Sequence, residues 1–535
     1  MATGDVSNNQ NRPITKVDVV VIGAGISGLA TAKCLREAGF KVTVLERTGE
    51  VGGLWTFREN DYGVMRFTHI NVSKHNYCFS DFPFPEHAPD YPHHSDMAQY
   101  IRDYTSHFKI SELIQFQTKV IDLEKKDSGW QITAVKVDET GERVTPKGEE
   151  EIYQAKFVAI ATGHHAIPRY PKFPGENTFK GEIIHSVKFK DAITNGMVGK
   201  RVLVVGIGNS AVDAACNAVS EGRCKSVYIS TRSGAWVVPN YVFGCPTDHY
   251  ACRFFLALPW KLGSFIFESI IRLLNGDPKK WKLNPKMRLL QTQPTVSPTL
   301  IHHIQRHQIR VVPNIVKIDG QSVQFVDGQT AEFDHIIYCT GYKICLPYLN
   351  EELHKTVIDT ETNQIKLYKN MFSPAIGSSL AFIGFVQPAS GGVLTMSEMQ
   401  AMWFAELCRG KVRLPNQITM TEDMKKEEEW SAERYYHSAR HTIQKDPIVY
   451  NDDIAQMIGA KPEVWKHPAL ALNLLFGSCG AAQWRLQGPF KWSRAAEVVR
   501  NVPVTPMMHY ISMLLVVFLL MALYMMLKVV CKIFC

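Results

Sequence analysis

Two glycine-rich turns, each directly after an apolar run, constrain the fold of this chain more than any other feature. The first occupies residues 19–28 (VVVIGAGISG) and the second residues 202–211 (VLVVGIGNSA). Each fits the pattern G-x-G-x-x-[GA] between a predicted strand and a predicted helix, which is the context that a dinucleotide-binding site requires. One such turn alone could be an ordinary βα loop. Two of them predict a chain that holds two dinucleotides together, so that electrons pass between them.

The first turn has a distinct task for each glycine. Gly23 permits the tight turn, Gly25 lets backbone N–H groups approach a pyrophosphate, and Gly28 lets the helix pack closely on the strand. The N-terminus of that helix adds free N–H donors for the phosphates. The next predicted strand, 41–45, ends in Glu46, whose carboxylate would accept hydrogen bonds from a ribose and repel a 2′-phosphate. The first turn is therefore predicted to bind FAD or NAD rather than NADP.

The second turn has a different strand end. Its next predicted strand, 226–230, ends in Thr231, Arg232 and Ser233, with no acid at the position that corresponds to Glu46. Arg232 can pair with a 2′-phosphate, helped by neighbouring hydroxyls. We therefore assign FAD to the first turn and NADPH to the second, although a solvated loop cation is the alternative interpretation of Arg232. The predicted NADPH contacts are Gly206, Gly208, Asn209, Ser210, Thr231 and Arg232.

The order of predicted elements indicates an α/β fold with two Rossmann-like dinucleotide-binding domains, in which an NADPH domain interrupts an FAD domain. The strand ends 161–163 (ATG) and 339–342 (CTGY) are near-repeats. We interpret the second as the return of the chain to the FAD domain, with Thr340 and Gly341 contacting the cofactor. The predicted boundaries are a disordered N-terminus (1–16), a first FAD-domain segment (17–165), the NADPH domain (166–335) with an insertion (234–299), a second FAD-domain segment (336–450) and a helical region (451–506).

Composition narrows the class of protein. The chain has 535 residues with a formal net charge of +8, which is modest for this size and makes a nucleic-acid partner a poor expectation. Twelve cysteines are scattered with no C-x-x-C pair and no metal-ligand spacing. The disulfide reductases, which share a plan with two dinucleotides, depend on such a pair. The cysteines therefore indicate reduced thiols in a cytosolic setting.

The C-terminal segment is apolar. Residues 510–527 contain no charged side chain, which is near the lower limit for a helix that spans a bilayer. The terminal position predicts a transmembrane tail-anchor helix over 507–530, with the folded body in the cytosol, and a buried core helix is the alternative. The basic balance of the chain suits a surface near anionic phospholipid.

Residues 179–189 (FKGEIIHSVKF) are similar to F-x-G-x-x-x-H-x-x-x-[YF], the identifying motif of the flavin-containing monooxygenases. With both glycine turns, residues 339–342 and the apolar tail, the chain resembles the animal microsomal type, the N-oxide-forming dimethylaniline monooxygenases, over nearly its whole length. Residues 52–55 (GGLW) resemble the second glycine pair of flavoproteins with two dinucleotides, which makes Gly53, Leu54 and Trp55 predicted FAD contacts. The resemblance implies the endoplasmic reticulum membrane and a role in xenobiotic metabolism. We expect His185 of the motif to be a structural histidine that links the two domains and positions the nicotinamide.

The resemblance also implies a reaction. NADPH reduces FAD, and the reduced flavin reacts with O₂ to give a flavin 4a-hydroperoxide, which decays to H₂O₂ unless water is excluded. Its distal oxygen is attacked by a soft nitrogen or sulfur of a lipophilic substrate. Asn71, upstream of residues 81–85 (DFPFP), matches the family's asparagine near the flavin, where its amide would stabilise the hydroperoxide and contact the cofactor. A turn-forming asparagine and an N-glycosylation sequon with Ser73 are the alternatives.

Other functions share these cofactors. A Baeyer–Villiger ketone monooxygenase usually has Trp where this chain has Phe189, and an uncoupled NADPH oxidase would release only H₂O₂. A non-catalytic, membrane-anchored NADPH-binding protein is a further class, against which the intact glycine turns argue. The insertion 234–299 is interpreted as a helix pair that dips into lipid, as a buried pair that covers the active site, or as both. The expected partners are lipophilic amines or sulfides, O₂ and membrane lipid, and the sequence is compatible with a homo-oligomer.

Overall fold

The computed structural model describes residues 14–59, 62–165, 167–436, 442–478 and 480–534. The N-terminal third of the chain has strands β1 (Ile14–Ile22), β2 (Val42–Leu45), β3 (Ile114–Gln115), β4 (Thr118–Lys126), β5 (Gly129–Lys136) and β6 (Glu151–Ile160), with helices α1 (Ile26–Glu37) and α2 (His94–His107).

The middle of the chain contains the most strands. They are β7 (Ile167–Pro168), β8 (Glu182–His185), β9 (Arg201–Val205), β10 (Ser226–Ser230), β11 (Val237–Val238), β12 (Tyr241–Val242), β13 (Cys245–Pro246), β14 (Thr295–Val296), β15 (Ile309–Val312), β16 (Ile315–Asp319), β17 (Ser322–Phe325), β18 (Thr330–Glu332), β19 (His335–Tyr338) and β20 (Tyr342–Lys343). The helices of this region are α3 (Asn209–Ser220), α4 (Arg253–Leu256), α5 (Trp260–Asn275) and α6 (Leu300–Gln305).

The C-terminal region is mainly helical. Its helices are α7 (Glu351–Val357), α8 (Val393–Cys408), α9 (Gln417–Arg434), α10 (Pro447–Met457), α11 (Ala471–Phe476), α12 (Ala495–Asn501) and α13 (Met507–Phe534). Its short strands are β21 (Ile358–Asp359), β22 (Gln364–Ile365), β23 (Leu380–Phe382), β24 (Gln387–Pro388) and β25 (Gln444–Lys445).

The first sheet is built around β1. Its order is β3-β2-β1-β6-β5-β4, and β23 joins it through β6. β1 pairs in parallel with β2 on one side and with β6 on the other, and residues 19–22 of β1 are buried. A strand that is covered on both faces reads as a continuous apolar run, which is what residues 19–22 show. The carboxyl ends of β1 and β6 therefore meet at the edge where the first glycine turn lies.

The second sheet is fully parallel and repeats this plan. Its order is β15-β10-β9-β19-β8, with β9 at the centre between β10 and β19. A two-stranded antiparallel ribbon of β7 and β20 joins the segments that run between the two sheets. The α/β architecture with two separate sheets is thus as predicted.

Two predicted boundaries need correction. β1 begins at Ile14, so residues 14–16 form strand where a disordered terminus was expected, and residues 1–13 lie outside the described residues. β19 pairs with β8 and β9, so the chain is still in the second sheet at Tyr338, beyond the predicted boundary at residue 335. The chain meets the first sheet again at Leu349, which bridges to Leu123 of β4, and joins it as a strand at β23, which pairs with β6. The near-repeat of 161–163 and 339–342 misled the assignment, because each segment closes its own sheet.

The insertion packs against the last helix. Tyr250, Phe267 and Ile270 of the insertion share a hydrophobic cluster with Met513 and Val517 of α13. Other apolar side chains of both elements stay exposed, among them Leu273, Leu514, Leu515, Phe518 and Leu519. The N-terminal half of α13 therefore packs on the insertion through Met513 and Val517, whereas residues 518–528 are exposed.

The predicted transmembrane helix over 507–530 is not confirmed. Among the residues that the structure describes, no helix combines the length and apolar character needed to cross a membrane.

Candidate functional site

The first glycine turn leaves no room for a side chain at Gly23 or at Gly28. Gly23 has a φ of +106°, and a Cβ there would lie 2.7 Å from the carbonyl oxygen of Ala161, while a Cβ on Gly28 would lie 1.9 Å from the oxygen of Gly23. Gly25 precedes α1 and has no side chain that could cap it. The first N–H groups of the helix therefore receive no hydrogen bond acceptor from a capping side chain. Exposed N–H groups at a helix N-terminus fit a pyrophosphate.

The second glycine pair lies on this turn. The N–H of Gly52 donates to the carbonyl oxygen of Ala24 at 3.1 Å, and a Cβ on Gly53 would lie 3.1 Å from the Cα of Gly25. Gly53, Leu54 and Trp55 form a single 3-10 turn, and Trp55 Nε1 donates to the hydroxyl of Tyr77 at 3.0 Å. The structure thus brings the two predicted FAD segments into contact.

Glu46 is buried beside the turn. Its Oε2 accepts a hydrogen bond from the N–H of Ala24 at 2.7 Å, and its Oε1 accepts from the N–H and the hydroxyl of Thr48, both at 2.8 Å. A carboxylate has about four acceptor sites, so room remains for a ribose hydroxyl. Glu46 therefore organises the turn itself, a role that the sequence did not reveal, and also fits the predicted ribose contact.

The second glycine turn has the same construction. Gly206 has a φ of +129°, and a Cβ there would lie 2.5 Å from the carbonyl oxygen of Cys339. Gly208 precedes α3 without capping it, and Ser210 is exposed on the first turn of that helix. The side-chain oxygen of Asn209 accepts from the N–H of Val296 at 2.8 Å, so it also anchors the insertion. The backbone cradle fits a second pyrophosphate.

Thr231 and Arg232, at the strand end beyond this turn, differ in their exposure to solvent. Thr231 is buried, and its hydroxyl accepts from the N–H of Gly234 at 3.0 Å, so it shapes the loop. Arg232 is exposed and makes no hydrogen bond or ion pair with another described residue. A free guanidinium at this edge fits a 2′-phosphate, and it equally fits the alternative of a solvated cation.

Thr340 and Gly341 lie at the end of the second sheet, not at the first glycine turn. They follow Cys339, whose carbonyl lies against Gly206. The hydroxyl of Thr340 donates a hydrogen bond to the carbonyl oxygen of Arg169. At the first glycine turn, Ala161 has the position that Cys339 has at the second turn, since its carbonyl oxygen faces Gly23. Ala161 belongs to the near-repeat but is not among the predicted contacts. Thr340 and Gly341 therefore lie beside the second glycine turn, and their contact with a cofactor stays a prediction.

His185 holds the segment that links the sheets. Its Nδ1 accepts from the N–H of Val187 at 3.2 Å, and its Nε2 donates to the carbonyl of Gly341 at 3.2 Å, just before β20. Burial lowers the pKa of His185 to about 4, so the imidazole is neutral at pH 7. This geometry agrees with a structural role at the link between the two domains.

Asn71 lies in the wall of a mostly apolar cavity of about 80 Å³. Its side chain makes no hydrogen bond with another described residue, so the amide is available to a ligand. Ser73, which would complete a glycosylation sequon, is fully buried, and no turn bond from Asn71 to a described residue supports the turn-forming alternative. The insertion supplies much of the wall, and its interpretation as a cover over the active site stays a prediction. Lining residues include Asn71, Val72, Tyr91, Val238, Thr247, Asp248, Phe255, Phe267, Gln293, Gly391, Arg434 and Asp446.

Comparison with known proteins gives one family over nearly the whole chain. The family described as Flavin-binding monooxygenase-like matches residues 16–527. The chain is 34% identical over 509 residues to Flavin-containing monooxygenase 5 of Cavia porcellus, covering 91% of this chain and 92% of that protein. It is 34% identical over 505 residues to Dimethylaniline monooxygenase (N-oxide-forming) 2 of Oryctolagus cuniculus, covering 90% of both.

Solved structures share the fold at lower identity. S-allyl-L-cysteine S-oxygenase from Allium sativum has a TM-score of 0.62 and 21% identity, covering 85% of this chain and 91% of that one. A complex of OTEMO with FAD and NADP has a TM-score of 0.61 and 17% identity, covering 82% and 97%. These likenesses show the fold alone.

Replacing Arg232 by Ala tests the NADPH assignment. We expect the KM for NADPH to rise by roughly 10-fold or more, because a charge-assisted hydrogen bond to the 2′-phosphate is lost. The KM for NADH should change little. Steady-state kinetics with both coenzymes measure this, and Lys225→Ala, which removes an exposed cation at the opposite end of β10, is the matched control. Equal effects of Arg232→Ala on both coenzymes would refute the assignment.

Replacing His185 by Gln tests its neutral state. The folded pKa of about 4 lies below the unfolded value near 6.5, so the unfolded chain binds the extra proton between these pH values. The stability that His185 contributes is therefore complete above about pH 6.5 and is lost as the pH falls toward 4. Gln keeps a donor for Gly341 but does not titrate. Between pH 7 and pH 5 the melting temperature of the wild type should fall more than that of the variant. A difference in melting temperature that stays constant over this range would contradict a neutral His185.

Proposed function

Because the chain belongs to the flavin-binding monooxygenase family, we propose that it is an NADPH- and O₂-dependent enzyme that oxygenates soft nitrogen or sulfur atoms of lipophilic small molecules. FAD and NADPH are its cofactors, and small molecules and O₂ are its substrates. When bound, the reduced flavin supplies the activated oxygen. The observation that supports the proposal best is the apolar cavity with the free amide of Asn71 in its wall.

The residues of this chain would have three tasks. The two glycine turns bind the pyrophosphates through backbone N–H groups, and Glu46 and Arg232 distinguish the riboses by their charge. The apolar side chains of the cavity, such as Phe255 and Phe267, exclude water and admit lipophilic molecules. Asn71 can donate a hydrogen bond to oxygen and accept one from a cofactor hydroxyl. The nucleophile comes from the substrate, so a catalytic dyad of the Ser–His type is not required.

The membrane side of the proposal concerns lipid contact. The exposed apolar side chains of α13 and of the end of α5, such as Phe518 and Leu273, fit the acyl boundary of a bilayer. We place the protein at the endoplasmic reticulum membrane with its catalytic body on the cytosolic side. Flotation with anionic and neutral vesicles tests the contact with lipid. Absence of the protein from both vesicle fractions would contradict that contact.

The class of reaction is tested by aerobic NADPH turnover of the FAD-loaded enzyme with a lipophilic tertiary amine, a sulfide and a ketone. An N-oxide or sulfoxide formed in proportion to NADPH supports the proposal. An ester from the ketone as the main product would show a Baeyer–Villiger enzyme. H₂O₂ equal to the NADPH consumed, with every substrate, would show an oxidase.

Replacing Asn71 by Ala tests the role of its amide. Product formation should fall by roughly 100-fold, the order of loss expected for one positioned donor. NADPH consumption should continue, and H₂O₂ should account for it. Stopped-flow absorbance should also show a faster return of the reduced flavin to its oxidised spectrum after mixing with O₂.

The control for this variant is Asn501→Ala, an exposed asparagine at the end of α12. It should leave the product, the H₂O₂ yield and the flavin spectrum as in the wild type. An unchanged ratio of product to H₂O₂ in Asn71→Ala would remove Asn71 from the mechanism.

A further inference from the structure

A buried carboxylate from the insertion holds the loop that carries Asn71. One oxygen of Asp248, Oδ2, accepts three hydrogen bonds from this loop: from the N–H of Ser73 at 3.0 Å, from its hydroxyl at 2.7 Å and from Nδ2 of Asn76 at 2.6 Å. Ser73 is two residues from Asn71 in the chain. The loop is therefore fixed by a residue that is remote in the sequence.

The carboxylate of Asp248 is buried, so its hydrogen bonds to the loop must offset the free-energy cost of removing it from water. Asp248 is only 7% exposed, and its second oxygen, Oδ1, is buried without a hydrogen-bond partner among the described residues. Burial lowers the pKa of the neighbouring His249, so that imidazole is neutral at pH 7 and supplies no cation. A buried carboxylate without a cation destabilises a fold unless its hydrogen bonds offset the cost. Here the hydrogen bonds that offset it are those to the Asn71 loop.

Further contacts extend the connection on both sides. His249 Nε2 lies 2.9 Å from the Ser73 hydroxyl, whose proton goes to Asp248, so the imidazole donates to that oxygen. Asn76 accepts through its Oδ1 a hydrogen bond of 2.6 Å from the hydroxyl of Ser478. The loop thus lies between the insertion and the C-terminal region. Asp248 and Asn71 both line the same cavity.

We propose that Asp248 is a positioning residue, which sets the orientation of Asn71 in the cavity through Ser73 and Asn76. The inference rests on the proposed function of Asn71 and adds a role for the insertion. The insertion does more than cover the cavity, because it supplies the acceptor that holds the flavin-side loop. Asp248 acts through Asn71 and does not itself contact the reacting atoms.

The test compares Asp248→Ala with Asp248→Asn in the FAD-loaded enzyme. Ala removes all three acceptor contacts, whereas the oxygen of Asn can still accept from Ser73 and Asn76, so Asn should rescue most of the effect. We expect the ratio of product to H₂O₂ to fall about tenfold in Asp248→Ala. Asp90→Asn, which removes a carboxylate near His249 that does not bond the loop side chains, is the matched control and should keep the wild-type ratio.

A second measurement is independent of turnover. Amide hydrogen exchange of the segment 71–77 should be about tenfold faster in Asp248→Ala, because the N–H of Ser73 loses its acceptor, and close to wild type in Asp248→Asn. If the wild type releases only H₂O₂ with every substrate, the proposed function fails, but this exchange still measures whether Asp248 holds the loop. Unchanged exchange in Asp248→Ala would overturn the inference.

A double-mutant cycle separates positioning from a general structural effect. In the background of Asn71→Ala, Asp248→Ala should cause no further fall in the ratio of product to H₂O₂, since its effect passes through Asn71. A second tenfold fall would overturn the inference. Should Asp248→Ala fail to fold, Ser73→Ala, which removes only the hydroxyl donor, replaces it in the cycle and should show the same non-additivity with a smaller effect.

Discussion

The close approach of backbone to backbone at two glycines determines how the rest of the molecule is arranged. At Gly23 the carbonyl of Ala161 takes the space of a side chain, and at Gly206 the carbonyl of Cys339 does the same. Each contact brings the end of a central strand against the end of its parallel neighbour and leaves the first N–H groups of a helix facing outward. Both predicted nucleotide sites, and the orientation of each sheet's carboxyl edge, depend on these two contacts.

Charge then distinguishes two cradles that are built alike. Glu46 is buried and already organised by the N–H of Ala24 and by Thr48, so its position is set before any ligand arrives. Arg232 is exposed and without a partner among the described residues, which leaves it free to meet a phosphate. A preorganised acceptor and an uncommitted donor suit a ribose hydroxyl and a 2′-phosphate, respectively.

Local patterns in the sequence predicted the features of the site that local structure determines. Gly23, Gly28, Glu46 and Gly206 could be recognised because a strand, a turn and a helix are consecutive. Thr340 was assigned to the wrong sheet because strand pairing is a long-range property, and two strand ends of similar sequence close different sheets. Asp248 carried no signal at all, since its partner Ser73 is 175 residues away. The membrane-spanning prediction rested on the hydropathy and the terminal position of the segment, and the described residues do not confirm it.

The packing of α13 has a consequence for how the cavity is maintained. Met513 and Val517 belong to the same hydrophobic cluster as Phe255 and Phe267, and those two rings also line the cavity. The outer side of the cavity wall is thus supported by the last helix of the chain. A shortened protein that ends before Met507 would expose this side of the cavity wall to solvent and loosen the cavity. Removing the last helix would therefore change the cavity in which the substrate is proposed to react.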